Sequence, residues 1–355
     1  MRIKEIQVKE FHVPLKTPFK IAYSTDVEHH GILVKITTDT GLEGFGESAP
    51  SKHVTGETHS TVKKVIEEIF TPILLGENPF DIGKIMAKLD DTIKGNTSAK
   101  CAIDMALYDI KGKALRLPVC DLLGKFHKSI LTSVTIGIKS IKDTIKEAHE
   151  IVREGYKVLK IKIGLAPEED IEKISQLRKE FNDVIIRVDA NQGYDLRTAI
   201  KVANELARYN VEFIEQPLKA WDIKGLRELK KVSPIPIMVD ETVLSPLDAL
   251  HVIEEEACDF INIKLMKSGG IFNAKKIADI AAGAGIKCMI GCMVETRLGV
   301  AAGVHFALST ENVCYADLDG HLILKENIVE DGFKTVNGEH YSLTRSGLGV
   351  NIRNL

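Results

Sequence analysis

The sequence predicts an α/β chain: a (β/α)8 TIM-type barrel with an N-terminal α+β capping domain that the C-terminal segment completes. Three observations carry this expectation. The texture changes near residue 125, from alternating strands and long helices to short apolar runs that are each followed by an amphipathic helix. The ends of seven successive runs, at Lys162, Asp189, Glu215, Asp240, Lys264, Gly291 and Asp317, fall 24 to 27 residues apart, which is a constant βα unit. Six of those seven residues are charged, and charge at the end of a core strand is costly unless it is paired or binds a metal.

Residues 1–50 alternate with period two in IKEIQVKEF, GILVKITT and GLEGFGESA, with turn residues at Thr38-Asp39-Thr40-Gly41. This pattern predicts an antiparallel sheet with one wet face. Residues 57–116 read as helical, with Ile103, Ala106, Leu107, Ile110 and Ala114 on one stripe. Strands followed by helices define an α+β unit over 1–125. From 126 to 325 the runs are TSVTIGI, KVLKIKI, VIIRVD, EFIE, PIMVD, FINIK, KCMIGC and VCYAD, with helices such as that of Ile141, Ile145, Ala148 and Val152 between them. Apolar strands alternating with helices predict a parallel sheet covered by helices. Eight of them with right-handed crossovers close into a barrel, and no GxGxxG follows the first strand to favour an open sheet. The last helix looks short. Residues 326–355 return to hairpin texture and are expected to close onto the capping domain.

Composition narrows the function. The 355 residues are 44% hydrophobic and 27% charged, ordinary for a globular protein. A net charge of −3 leaves no electrostatic footprint for nucleic acid. The start, MRIKEIQVKE, reads as neither a signal nor a transit peptide, and no run reaches the roughly 18 apolar residues of a membrane span. Six cysteines without a CxxC pair read as reduced core residues, and the eleven histidines contain no HExxH. A cytoplasmic enzyme is expected, acting on a small molecule without nucleic-acid or membrane partners, and assembling as a homo-oligomer.

The charged strand ends suggest the chemistry. Asp189, Glu215 and Asp240 end three successive strands, so they converge on one side of the barrel mouth, where barrel active sites lie. Each alone could be a helix cap, but three in consecutive register would repel unless a cation holds them. All-oxygen donors favour a hard ion, Mg²⁺ before Zn²⁺. Lys160 and Lys162 are i and i+2, so both point into the barrel if Ile161 faces the helices. Lys264 ends the sixth strand, across the barrel from the second. A lysine at ~10.4 is a poor base at pH 7, and burial beside a second ammonium is expected to depress its pKa. Such a pair suits proton abstraction next to a carboxylate, with a metal stabilising the enediolate. Asp317-Leu318-Asp319-Gly320 is a turn by spacing alone, but at the barrel mouth its aspartates form a receptor for an ammonium group. Lys267 reads as a surface residue at a helix start, Gly269-Gly270 as turn and packing glycines, and Cys292 lacks a histidine base.

Together KIKIG, VDANQGY, FIEQP, VDET, INIKLMKSGG, CMVETRLG and DLDG resemble the enolase superfamily, muconate-lactonizing subgroup, over essentially the whole chain. DLDG and ETRLG look like the dipeptide epimerases of that subgroup. The resemblance implies one Mg²⁺ held by Asp189, Glu215 and Asp240, with Lys162 and Lys264 as the acid/base pair. It implies that Lys160 assists Lys162 and meets the substrate carboxylate, and that Asp317 and Asp319 hold the amino group of a dipeptide. Thr135 and the stretch around Cys292 would line the site. The implied activity is epimerisation of the C-terminal residue of L-Ala-D/L-Glu, in murein peptide recycling. One departure is Ser24, which stands where members resembling Ala-Glu epimerases carry an arginine for the glutamate; Lys16, Lys20, Lys52 and His53 are the other cations of those loops. A cycloisomerase or o-succinylbenzoate synthase is the alternative, disfavoured by DLDG because those substrates carry no ammonium. A non-catalytic barrel is disfavoured by the intact Lys/Asp/Glu set.

Overall fold

The computed structural model describes residues 1–352. Strands β1 (Ile3–Lys20), β2 (Thr25–Thr38) and β3 (Glu43–Ser48) form an antiparallel sheet in that order. The expected turn joins β2 to β3, with Gly41 at φ 78° and its N–H donating to the Thr38 carbonyl at 3.0 Å. The helical stretch is broken into α1 (His59–Lys64), a π-helical turn Val65–Phe70, α2 (Thr71–Leu74), α3 (Ile82–Thr92) and α4 (Thr97–Leu115). Gly76 and Gly95, at φ 82° and 68°, mark two of the breaks. Helix α4 buries Ile103, Ala106, Leu107 and Ile110 against the sheet. It rides directly on β3, because a Cβ at Gly44 or Gly46 would meet the Ala106 or Ala102 carbonyl at 2.2 or 1.8 Å.

A two-residue strand β4 (Ile130–Leu131) precedes the barrel. The eight parallel strands are β5 (Val134–Ile136), β6 (Val158–Lys162), β7 (Ile185–Asp189), β8 (Val211–Glu215), β9 (Ile237–Val239), β10 (Phe260–Lys264), β11 (Lys287–Gly291) and β12 (Val313–Asp317), hydrogen-bonded in chain order. The seam between β12 and β5 is closed by a bridge from Thr132 to Ala316, with the Ser133 N–H on the Ala316 carbonyl at 3.0 Å. Ile161, Val188, Ile214, Val239, Ile263 and Ile290 are buried towards the helices. Their neighbours therefore turn inward, which is how strands that look apolar carry a polar interior. The inner floor is apolar: Phe213, Met238 and Met289 pack with Phe260 and Tyr315, and the Arg187 guanidinium lies over the Phe213 and Tyr315 rings at 5.1 and 5.2 Å.

A helix follows each of β5 to β11; none follows β12 among the described residues. Instead β13 (Val329–Asp331) pairs with β16 (Val350–Ile352), and β14 (Phe333–Val336) pairs with β15 (Glu339–Ser342), which pairs in turn with β4. Cys314, expected in the core, is exposed because it points outward from β12 where no eighth helix covers it; Cys292 is half-buried, and the other four cysteines are buried and free. No described helix is long and apolar enough to cross a membrane.

Buried carboxylates bind the N-terminal unit to the barrel. Glu47 of β3 accepts from the N–H groups of Thr296 (2.8 Å) and Gly299 (2.9 Å), capping the barrel helix Arg297–Leu308. Asp104 of α4 does the same for the helix Ile271–Gly283 through Ile271 and Phe272. Gly270, at φ 110°, leaves room for it, since a Cβ there would meet Asp104 at 2.3 Å. Gly270 is thus a packing glycine and Gly269, at φ 84°, a turn glycine, as the sequence suggests.

Two histidines tie in the C-terminal segment. His305 Nδ1 accepts from the Cys120 N–H at 3.1 Å, and its Nε2 faces the Leu348 carbonyl at 3.3 Å. His340 lies between Thr335 Oγ1 and the Leu318 carbonyl. Burial pushes both imidazoles down to about 4. An imidazole neutral in the fold but free to protonate when unfolded makes the unfolded state bind more protons between the two pKa values, so stability falls as pH drops from about 6.5 towards 4. The loss should approach about 2–3 kcal/mol per histidine at pH 4. Urea midpoints of wild type and His305→Gln across that window check this: the variant should show the shallower slope, and equal slopes would remove His305 from the account.

Candidate active site

The strand ends deliver their side chains to one place. One carboxylate oxygen each from Asp189, Glu215 and Asp240 lie within 4.8 Å of one another, and all three residues are buried. Register explains the convergence, since Lys162 pairs with Asp189 and Asp189 with Glu215 across β6, β7 and β8. Lys160 Nζ sits among the carboxylates, 2.7 Å from Asp317, 2.8 Å from Glu215 and 3.0 Å from Asp189. Lys162 Nζ is 2.7 Å from Asp189 and donates to Asn191 Oδ1 at 2.9 Å. Lys264 Nζ is 2.8 Å from Asp240.

Lys162 and Lys264 face a cavity of about 510 Å³, lined also by Thr135, Cys292, Asp317 and Asp319 at its barrel end, with the carboxylate triad behind that wall. Lys160, only 1% exposed, is behind that wall. Asp317 accepts from the Ser133 and Thr135 hydroxyls at 2.9 and 3.1 Å, and Asp319 accepts from the Thr135 N–H at 2.5 Å. Cys292 Sγ accepts from the Gly320 N–H at 3.3 Å, which fixes the DLDG turn rather than offering a nucleophile. The other end of the cavity is built by the β1–β2 hairpin and the loop before α1: Tyr23, Ser24, Asp26, Glu28, His30, Lys52, His53 and His59 line it. Of the four loop cations singled out from sequence, Lys52 and His53 line the cavity and Lys16 and Lys20 do not.

Lys267 is not on the surface. It is 1% exposed, 2.6 Å from Asp240 Oδ1, and its ammonium also donates to the Asn262 carbonyl at 3.0 Å. The short helix Leu265–Ser268 packs against α4 and is buried throughout, so the LMKS segment lies inside where its polarity suggests solvent. Asn191, Gln216, Glu241 and Asn262 were also not singled out from sequence. Asn262 donates to Glu215 at 2.7 Å, and Asn191 bridges Lys162 to Glu241. Gln216 accepts from the Asp240 N–H at 2.8 Å. Asn191 and Gln216 hold left-handed backbone at φ 40° and 36°, uncommon for residues with a Cβ, two residues after Asp189 and one after Glu215. The only sequence signal for them is adjacency to the ligand motifs.

The charge balance reverses one expectation. Burial pulls Lys160 and Lys264 down, but Asp317, Glu215 and Asp189 around the first and Asp240 beside the second push both well above the ordinary lysine value. The carboxylates split the other way. Burial and Asp189 push Glu215 up to about 8, whereas burial of Asp240 is outweighed by Lys264 and Lys267, which hold it far below the usual range. Burial is likewise outweighed at Asp317, held at about 2 by Lys160, while burial and Asp317 push Asp319 up to about 6. A dication held by the triad would cancel the field that keeps the lysines protonated. The donor set, three carboxylates and no imidazole or thiolate, fits Mg²⁺.

Similarity to known proteins agrees with this site. Residues 3–124 match the mandelate racemase/muconate lactonizing enzyme N-terminal domain, and residues 143–354 match the enolase C-terminal domain-like family. The chain belongs to this enolase-superfamily group. It is 40% identical over 353 residues to the L-Ala-D/L-Glu epimerase of Clostridium acetobutylicum and 38% identical over 352 residues to the L-Lys-D/L-Arg epimerase of Methylococcus capsulatus, covering 99% of each chain. The crystal structure of the Enterococcus faecalis dipeptide epimerase with Mg and the dipeptide L-Leu-L-Tyr superposes with a TM-score of 0.96 at 37% identity, covering 99% of both chains. Whole-length relatives that are epimerases and racemases make the chain an isomerase, and its cofactor is Mg²⁺, the ion that the donor set of the triad fits.

Lys267 is expected to act as a positioning residue for Asp240. Lys267→Met should weaken Mg²⁺ binding by about 10–100-fold, as loss of an outer partner of a metal ligand does. Isothermal titration with Mg²⁺ measures this directly, and an unchanged affinity would reduce Lys267 to a structural ion pair.

Proposed function

We propose that this protein is a Mg²⁺-dependent dipeptide epimerase that inverts the α-carbon of the C-terminal residue by a two-base 1,1-proton transfer. The observation that carries the reading is the placement of Lys162 and Lys264 in one cavity on strands four apart in the eight-stranded sheet, with the carboxylate triad between them. One lysine, as the free amine, takes the α-proton; the other, as the ammonium, gives a proton to the opposite face. Lys160 neutralises the carboxylates beside the reacting centre and holds Asp317 in place. Asp317 and Asp319 receive the substrate ammonium. When bound, Mg²⁺ supplies positive charge against the extra negative charge that builds on the substrate carboxylate as the proton leaves. In D₂O, Lys162→Ala and Lys264→Ala should each lose net epimerisation by at least about 10²-fold, with one stereoisomer still exchanging its α-proton at the surviving lysine. Near wild-type epimerisation by either variant would overturn the two-base assignment.

L-Ala-D/L-Glu is the proposed substrate, with Lys52 and His53 serving the glutamate side chain in place of an arginine at Ser24. Their position on the cavity wall supports this. A second reading, a cationic C-terminal residue, is favoured by Asp26 and Glu28 on the same wall. The ratio of kcat/KM for L-Ala-L-Glu to that for L-Ala-L-Lys decides between them. A ratio above about ten, or ~1.4 kcal/mol, supports the first, and the same margin in the other direction replaces it with the second.

A further inference from the structure

Outside the carboxylate triad, the N-terminal sheet carries a second cluster of metal-ligating side chains at the outer rim of the cavity. His12 of β1 and His30 of β2 are directly paired across the antiparallel ladder, so both side chains rise from the same face. Their Nδ1 atoms are 2.7 Å apart. Glu28, two residues before His30 and on the same face, places Oε1 2.7 Å from His30 Nε2. His59, the first residue of α1, stacks on His30 with ring centroids 5.2 Å apart and lies 6.1 Å from His12. One ligand atom each from His12, Glu28 and His30 fall within 4.8 Å of one another.

We propose that His12, Glu28 and His30, with His59 as a fourth donor, form a binding site for a divalent transition-metal ion of the Zn²⁺, Ni²⁺ or Cu²⁺ class. Two facing ring nitrogens at hydrogen-bond distance share at most one proton between two lone pairs. Opening them by about 0.6 Å gives the roughly 3.3 Å separation of adjacent ligands about 2.0–2.1 Å from a tetrahedral Zn²⁺. Imidazole donors select this class over Mg²⁺, whereas the barrel triad, all carboxylate, selects the reverse. The two sites are therefore chemically separable in one molecule. The β-ladder fixes the spacing of His12 and His30, so the site needs no folding on binding. Glu28, His30 and His59 also line the substrate cavity and His12 does not, so a bound ion would place positive charge where the cavity opens to solvent. This inference does not depend on the epimerase reading.

The test is a Zn²⁺ titration of the whole protein, with Mg²⁺ in saturating excess and a chromogenic chelator as competitor. Wild type should bind one equivalent. His12→Ala should lose at least about tenfold in Zn²⁺ affinity while keeping its activity in Mg²⁺ alone, and Glu28→Gln should lose affinity independently. Zn²⁺ affinity in both variants equal to wild type, or no competing binding by wild type, would overturn the site and leave a hydrogen-bonded histidine pair.

Discussion

Four buried ammonium groups, those of Lys160, Lys162, Lys264 and Lys267, are balanced against the carboxylates of Asp189, Glu215, Asp240 and Asp317 inside the mouth of one barrel. Neither set tolerates burial alone, because an unpaired charge in such surroundings costs several kcal/mol. The geometry of the parallel ladder makes the balance possible. The pairing of Lys162 with Asp189, of Asp189 with Glu215, of Lys264 with Gly291 and of Gly291 with Asp317 brings strand ends to one level, and the alternate residues of those strands face helices. The field is poised, as shown by Glu215 and Asp240, two carboxylates of one triad driven in opposite directions by their neighbours. Such opposed environments mark sites that move protons.

The two structural units divide the labour. Every residue proposed to handle the proton or the metal comes from a barrel strand end, held by backbone hydrogen bonds on both sides. The far wall of the cavity comes from the β1–β2 hairpin tip and the loop before α1, with Tyr23 and His53 packed ring against ring at 5.0 Å. Relatives of nearly equal identity that differ in the charge of their substrates, Ala-Glu in one and Lys-Arg in the other, are what such a division produces.

Much of this was legible in the sequence because it depends on period and spacing. The βα repeat placed the strand ends, and period two within KVLKIK placed both lysines inward. What was not legible depends on contacts between distant strands. Lys267 follows an apolar pair at a helix start and looks solvated; only the packing of that short helix against α4 buries it, where it meets Asp240. Burial and a neighbouring ammonium on one strand are visible in the sequence, but the carboxylates that raise the pKa values of Lys160 and Lys264 come from β7, β8, β9 and β12. The roles of Asn191 and Gln216 rest on left-handed backbone, which asparagine signals only weakly and glutamine not at all. Cys314 was misplaced because the missing eighth helix leaves β12 partly bare.

The Glu47 carboxylate has a consequence for the order of folding. It caps a helix 249 residues further along the chain, so β3 is made long before its partner exists. Until the seventh barrel helix emerges, Glu47 is a hydrated charge on an open sheet edge. Until β3 docks, the first turn of that helix has bare N–H groups. Neither unit can bury this surface without the other, so barrel and sheet should unfold in one cooperative step. The closing event in folding is then a long-range one, slow to search for and strongly committed once made.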